Sequence, residues 1–506
     1  MPDDVTHSAS PAPEGTAAPI GAFDDELDND LFVANGVRVT DGQYLIPPLA
    51  PRDLARVALN KPLDPTTIAA LLATRRRHAA AGDGNLDEAV LGTVHGVDAD
   101  NLKEAGWGVI FAADDPDAEA MRSALSPLLA LREEQCGKLY KEYIGETGIP
   151  AGTDGWGFLA SLGSATGQPV DPTIVPYYLM LVASPEQVSF EAQCAMDTQN
   201  AVGRLWFDGD TRAARLDALS RYAHAVAARE RNATATPPRA YFFAARNKGD
   251  AATQRSARFL ATPVSKAFAA KHGSWHVATA IGDTARKATL VDVLHGAESP
   301  SLLVTATHGA AFDSGDPLQF AQQGALVCQD WEGLASTAPL TEHEYVWAAD
   351  ITTTQLPGTI AFLFACYGAG TPATDAFLPI EVTDAPTIAP RPFVSRLAQQ
   401  LLLAGAGAVI GHVERAWTCS FQWAGAGAQT QVFTSLFDAL AAGTPVGSAM
   451  EYFDARCGGI SRQLTDATRA HAAGKNNDFD LSALWTAQMD ARNYIVLGDP
   501  AVRFDV

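Results

Sequence analysis

SLLVTATHG (residues 301–309) and TIAFLFACYGAG (residues 359–370) are two continuous apolar runs, each ending in a reactive side chain with glycine close behind. The first ends at His308-Gly309 and the second carries Cys366-Tyr367-Gly368. Apolar runs that do not alternate predict strands buried on both faces of a parallel sheet. In open α/β sheets, chemistry gathers just beyond the carboxyl ends of the strands. Neighbouring strands lie about 4.8 Å apart, so an imidazole and a thiol at the ends of adjacent strands can meet. A thiol attacks as thiolate and wants a base beside it. Histidine serves, because it titrates near neutral pH and can return the proton to a leaving amine. Glycine lets backbone pass close to a substrate carbonyl, which makes the Gly309 and Cys366 N–H groups candidates for an oxyanion hole.

The His-Gly dipeptide occurs four times, at His95, His272, His295 and His308. His272 and His295 close helical patterns, where histidine followed by glycine is ordinary end chemistry. His95 follows a run broken by Gly92, and only His308 ends an uninterrupted strand pattern. Cys366 is likewise the one cysteine just beyond a strong strand and inside a glycine-rich turn.

Working outward, strand patterns at 107–113, 175–183, 239–245, 275–282 and 407–413 alternate with helical ones at 211–230, near 253–271 and at 391–404. That alternation implies βαβ units and an α/β fold with a mostly parallel sheet flanked by helices. Residues 1–40 are acidic, rich in Pro and Ala and low in large apolar residues, which predicts a disordered tail. RNATATPP (231–238) is the best internal boundary. It separates an N-terminal helical and α/β region (41–236) from a second domain (237–506).

The chain has 506 residues, 47% hydrophobic content and a formal net charge of -22. Such an acidic balance argues against a nucleic-acid surface. Six dispersed cysteines without a C-x-x-C pair support neither a zinc or redox site nor a disulfide framework. No run reaches the roughly 18 apolar residues of a membrane span, and the start lacks the features of a secretion signal. A cytoplasmic protein without metal or cofactor is expected.

An apolar strand ending in Thr-Ala-Thr-His-Gly (305–309), followed by a later strand ending in Ala-Cys-x-x-Gly/Ala, resembles the caspase-like (clan CD) cysteine peptidases, most closely the gingipain-type and CHAT-domain enzymes. VPYYLMLVASPEQVSF (175–190), AVGRLWFD (201–208) and the long helix after them resemble the non-catalytic first subdomain of gingipain-type enzymes. NYIVLGDPAVRF (493–504) resembles their Leu-Gly-Asp-Pro close. The resemblance covers roughly 170–506. It implies a caspase–hemoglobinase-like catalytic domain preceded by a non-catalytic α/β subdomain. It also implies His308 as general base and acid, Cys366 as nucleophile, and no third member. Relatives selective for Arg or Lys carry an acidic residue two before the cysteine; here that position is Phe364. Gingipain-type enzymes are also typically secreted, unlike the expectation here.

Other positions have two readings. Asp250 either lines a P1 pocket, as related loops do, or is a solvated turn aspartate after Gly249. His412, Glu414 and Trp417 either shape a substrate pocket or pack the loop after strand 407–413. AGAGAVIG (404–411) has the wrong order for a nucleotide-binding loop, because helix precedes and strand follows. Gly498-Asp499-Pro500 reads as a structural turn. The expected function is a cysteine endopeptidase acting on protein or peptide through a thioester, held latent until a partner or signal activates it. The alternatives are a silent scaffold of the same fold, or a hydrolase or acyltransferase acting on other acyl groups.

Overall fold

The computed structural model describes residues 31–504 apart from 60, 62–91, 166, 210, 233–236, 297–298, 337, 353–355, 377–386, 424–426 and 476–477. Residues 1–30 of the expected tail therefore lie outside the described residues, as does TTIAALLATRRRHAAAG (66–82), which follows Asp64-Pro65 and reads as a helix.

In chain order the strands are β1 (Gly36–Arg38), β2 (Trp107–Phe111), β3 (Tyr140–Tyr143), β4 (Tyr178–Val182), β5 (Ala201–Arg204) and β6 (Arg239–Ala244). There follow β7 (His276–Ile281), β8 (Leu302–Ala306), β9 (Gly309–Ala311), β10 (Leu326–Val327), β11 (Tyr345–Val346) and β12 (Ile360–Phe364). The last are β13 (Gly370–Thr371), β14 (Phe393–Val394), β15 (Ala408–His412), β16 (Gln422–Trp423), β17 (Gly427–Ala428) and β18 (Tyr494–Gly498). Ten of them form one sheet in the order β3-β2-β4-β5-β18-β15-β12-β8-β6-β7. Every pairing in it is parallel except β15 with β18. The sheet thus consists of two parallel halves running in opposite directions, the α/β architecture that the strand–helix alternation predicts.

Both faces are covered, which explains why the strands read as unbroken apolar runs. Leu303, Ala361, Leu363 and Val409 pack on one face with Leu219, Tyr222, Leu397 and Leu401 of helices Arg212–Arg231 and Arg396–Leu403. Leu302, Val304, Phe362 and Ile410 pack on the other with Phe268, Phe437 and Phe453 of helices Thr262–Lys271, Gln431–Ala441 and Glu451–Ala472. The expected boundary near 237 falls on the β5-to-β6 connection, where the chain leaves one half of the sheet for the other. The halves meet through β18.

The turn after β18 is a structural joint. Gly498 holds φ at +109°, a conformation open to glycine. The buried Asp499 carboxylate accepts from Trp107 Nε1 at 2.9 Å and pairs with Arg132 Nε at 2.8 Å.

One expectation needs correction. Residues 31–40, assigned to a disordered tail, are folded across the carboxyl end of the sheet. β1 pairs in parallel with β9, and β10 and β11 extend that small sheet. The composition is poor in large side chains, yet Val33, Ala34, Asn35 and Val37 are buried. Backbone hydrogen bonds rather than bulky side chains hold them (Phe32 N–H to Leu49 O, Leu45 N–H to Gly36 O). Among the described residues no helix is long and apolar enough to cross a membrane.

Candidate active site

β8 and β12 are neighbours, paired in parallel from Leu302↔Ile360 to Ala306↔Phe364. His308 and Cys366 each lie two residues beyond the last pair, so the two runs deliver them to the same level of the sheet edge. The Thr307 N–H donates to Phe364 O at 3.1 Å, carrying the ladder one step past the strands.

Cys366 sits at the mouth of a forced turn. Tyr367 has φ of +60°, the one positive value of a non-glycine residue among the described residues. Such a backbone costs roughly 1–3 kcal/mol and persists where the surroundings over-determine it. Here the Tyr367 N–H donates to Glu414 O at 2.8 Å and the Gly368 N–H to Ala365 O at 3.3 Å. The thiol is buried and Sγ donates to Ala416 O at 3.9 Å. Burial is the largest influence on its pKa and pushes it up. In this state Cys366 is a thiol, not a thiolate.

His308 is also fully buried, with its ring edge-on to Tyr44 and Trp331. Its Nε2 is 2.8 Å from Asp250 Oδ2, while Nδ1 has no hydrogen-bond partner among the described residues. A ring held by one nitrogen presents the other for proton transfer. Asp250 is not solvated. It caps helix Ala251–Arg255, with its carboxylate accepting the Ala252 and Thr253 N–H groups. The Tyr44 hydroxyl donates to its Oδ1 and the Thr253 hydroxyl to its Oδ2. Burial would raise its pKa, but the charge and hydrogen bond of His308 and the two hydroxyls outweigh that and hold it below the usual carboxylate range. Both oxygens are engaged, so Asp250 stands behind His308 as an orienting carboxylate. The resemblance offered no such third residue, and the only local signal was an aspartate at a helix start.

The two candidate oxyanion donors converge. Gly309 N–H and Cys366 N–H both donate to one oxygen, the carbonyl of Asn35, at 3.0 and 3.2 Å. Glycine is required at 309 by close approach, since a Cβ there would fall 1.8 Å from the Cys366 carbonyl oxygen. Trp417 lies against the same segment, bridged antiparallel to Ala34. Glu414 pairs through its side chain with Arg415, which also binds Asp375, and its carbonyl accepts the Tyr367 N–H in the turn after Cys366. His412 is tied by Nε2 to Asp490 O at 2.8 Å. Phe364 packs against Phe421 and Phe433 on the far face. His272 and His295 end helices and His95 is exposed. A separate cavity of about 610 Å³ involves Asp117, Glu186, Arg215 and Arg391, and those arginines pair with its own carboxylates. No group of three or more His, Cys, Asp or Glu among the described residues could hold a metal ion.

No family model matches the chain. No curated protein is significantly similar in sequence. Solved structures similar to it include two of the Saccharomyces cerevisiae separase–securin complex, at 2.6 and 3.0 Å resolution. The first has TM-score 0.29 and 13% identity over 64% of this chain, the second 0.28 and 13% over 65%. The chain spans 16% of the length of each of these two chains.

Proposed function

We propose that the chain is a cysteine endopeptidase of the caspase-like class, working through Cys366 and His308. The observation that carries this reading is the convergence of the Gly309 and Cys366 N–H groups on one peptide carbonyl, at paired strand ends that also bear a thiol and an aspartate-held imidazole. In the proposed course Cys366 gives its proton to His308 and attacks the carbonyl carbon. The two N–H groups hold the oxyanion. His308 then protonates the leaving amine, and water hydrolyses the thioester. Asp250 keeps the ring in one tautomer and stabilises the imidazolium. Affiliation with the gingipain-type or CHAT-domain enzymes rests on the quoted motifs. A cytoplasmic setting is consistent with cysteines that are free among the described residues. Protein or peptide is the proposed substrate, and a protein partner the proposed activator. Cleavage of a peptide library is expected for the wild-type chain and not for Cys366→Ala; equal cleavage by both would overturn the proposal.

The buried, protonated thiol favours a second reading, a scaffold without catalysis. A thiol-reactive peptide electrophile separates the two, since a scaffold shows no selective reaction at Cys366.

A further inference from the structure

We propose that Val33-Ala34-Asn35-Gly36 lies in the substrate groove of its own chain as a substrate does, with Asn35 in the P1 position, and that Cys366 cleaves the Asn35–Gly36 bond in cis. This rests on the proposed peptidase function and names its first substrate.

The geometry is that of a bound peptide, not of a loop that happens to cover a cleft. A peptidase groove binds an extended substrate by strand addition, in which main-chain hydrogen bonds give affinity and pockets for side chains give specificity. Residues 33–35 are held that way against the loop after β15. The Asn35 N–H donates to Ala416 O at 2.9 Å, and the Thr418 N–H donates to Val33 O at 3.3 Å. The Ala34↔Trp417 bridge lies between these two bonds. The next carbonyl along, Asn35 O, is the one on which Gly309 N–H and Cys366 N–H converge. The following residue passes directly over the nucleophile, since a Cβ built on Gly36 would fall 3.0 Å from Cys366 Sγ. One carbonyl, one thiol and one pair of donors are thus gathered at one place, the groups that acyl transfer uses.

The Asn35 side chain defines the pocket. It is fully buried, and its Nδ2 donates to the Thr307 carbonyl at 3.2 Å. A carbonyl acceptor favours a carboxamide and disfavours aspartate, whose oxygens offer that carbonyl nothing to accept. A site built to bind a donor rejects the isostere lacking it, because the site's own group is left unpaired. Asparagine over aspartate is therefore the P1 choice of this groove, with a small residue after it.

The chemistry balances with water as co-reactant. The Cys366 sulfur bonds to the Asn35 carbonyl carbon, and the bond to the Gly36 nitrogen breaks. That nitrogen leaves with the proton His308 took from the thiol. Water then releases the Asn35 carboxyl and restores the thiol. Until the cut is made, the groove is occupied and other peptides are excluded.

The test follows the full-length chain by intact mass and N-terminal sequencing. Wild type is expected to acquire a new N-terminus at Gly36, and Cys366→Ala to stay whole. Asn35→Asp should slow the cut ~10- to 100-fold, as loss of a buried hydrogen bond of 1–3 kcal/mol dictates. A Gly36→Val chain, its segment displaced from the thiol, is labelled in parallel with an acyl-Val-Ala-Asn electrophile. Faster labelling of Cys366 than in the still-uncut Asn35→Asp chain is expected. A chain that hydrolyses peptides while Asn35–Gly36 stays intact overturns the self-cleavage and leaves the peptidase reading standing. A chain that hydrolyses no peptide, and whose Cys366 is unlabelled in the Gly36→Val form as well, overturns both.

Discussion

Asp250 gathers several buried groups about one carboxylate. Its oxygens hold His308 Nε2, Tyr44, Thr253 and two helix amides, so the imidazole has one orientation and Nδ1 is left for chemistry. The depressed pKa sets the direction of its pH dependence. A carboxyl lowered by folding contributes stability above its unfolded value of about 3.9 and loses it as pH falls through the lower folded value. The His308–Asp250 contact should accordingly survive to below pH 4. Replacing Asp250 by Asn, on peptides the wild type cleaves, is expected to lower kcat by ~10²–10⁴, with KM within a few fold. A variant that raises KM alone would mean that Asp250 shapes the pocket instead. The cysteine, the histidine and the glycine behind each were legible, because reactive residues at the ends of unbroken apolar runs are a local pattern. The histidine's partner was not. Asp250 and His308 are 58 positions apart, and no pattern in either neighbourhood refers to the other.

At the scale of elements, the in-register pairing of β8 with β12 brings His308 and Cys366 to one level of the sheet edge, and the turn after β18 ties the sheet's two halves. That turn depends on a buried ion pair. The side chains of Arg132 and Asp499 are 1% and 0% exposed, and Arg132 also binds Glu230 of helix Arg212–Arg231. Removing one partner of such a pair strands the other charge away from water. Arg132→Met should cost about 3–5 kcal/mol in urea unfolding, and adding Asp499→Asn to it should recover part of the loss. An unchanged midpoint in the single variant would refute this account of the joint. Gly-Asp-Pro reads as a turn from composition alone, but its partners on helix Ser126–Cys136 and on β2 lie more than three hundred residues earlier.

The whole molecule carries several thiols in apolar surroundings. Burial raises Cys136 to about 12, and pushes Cys194, Cys328, Cys366 and Cys419 upward as well. Unfolded, each would ionise near its ordinary value of about 8.5. A group raised by folding contributes stability that is full below its unfolded pKa and lost as pH rises towards the folded one. The urea midpoint is therefore expected to fall steeply above about pH 9, with proton release on unfolding. A flat midpoint from pH 7 to pH 10 would contradict it.

By itself the sequence determined the α/β class, the strand ends that bear His308 and Cys366, and the glycine that must follow His308. These are short-range properties, since burial on two faces writes continuous apolar runs and a close backbone approach excludes a Cβ. Tertiary structure alone decided that Asp250 bonds the histidine, that β18 joins two opposed half-sheets, and that residues 31–40 are folded across the carboxyl end of the sheet. Their small side chains hide that role from composition, because main-chain hydrogen bonds hold them in place and every residue type offers the same main chain.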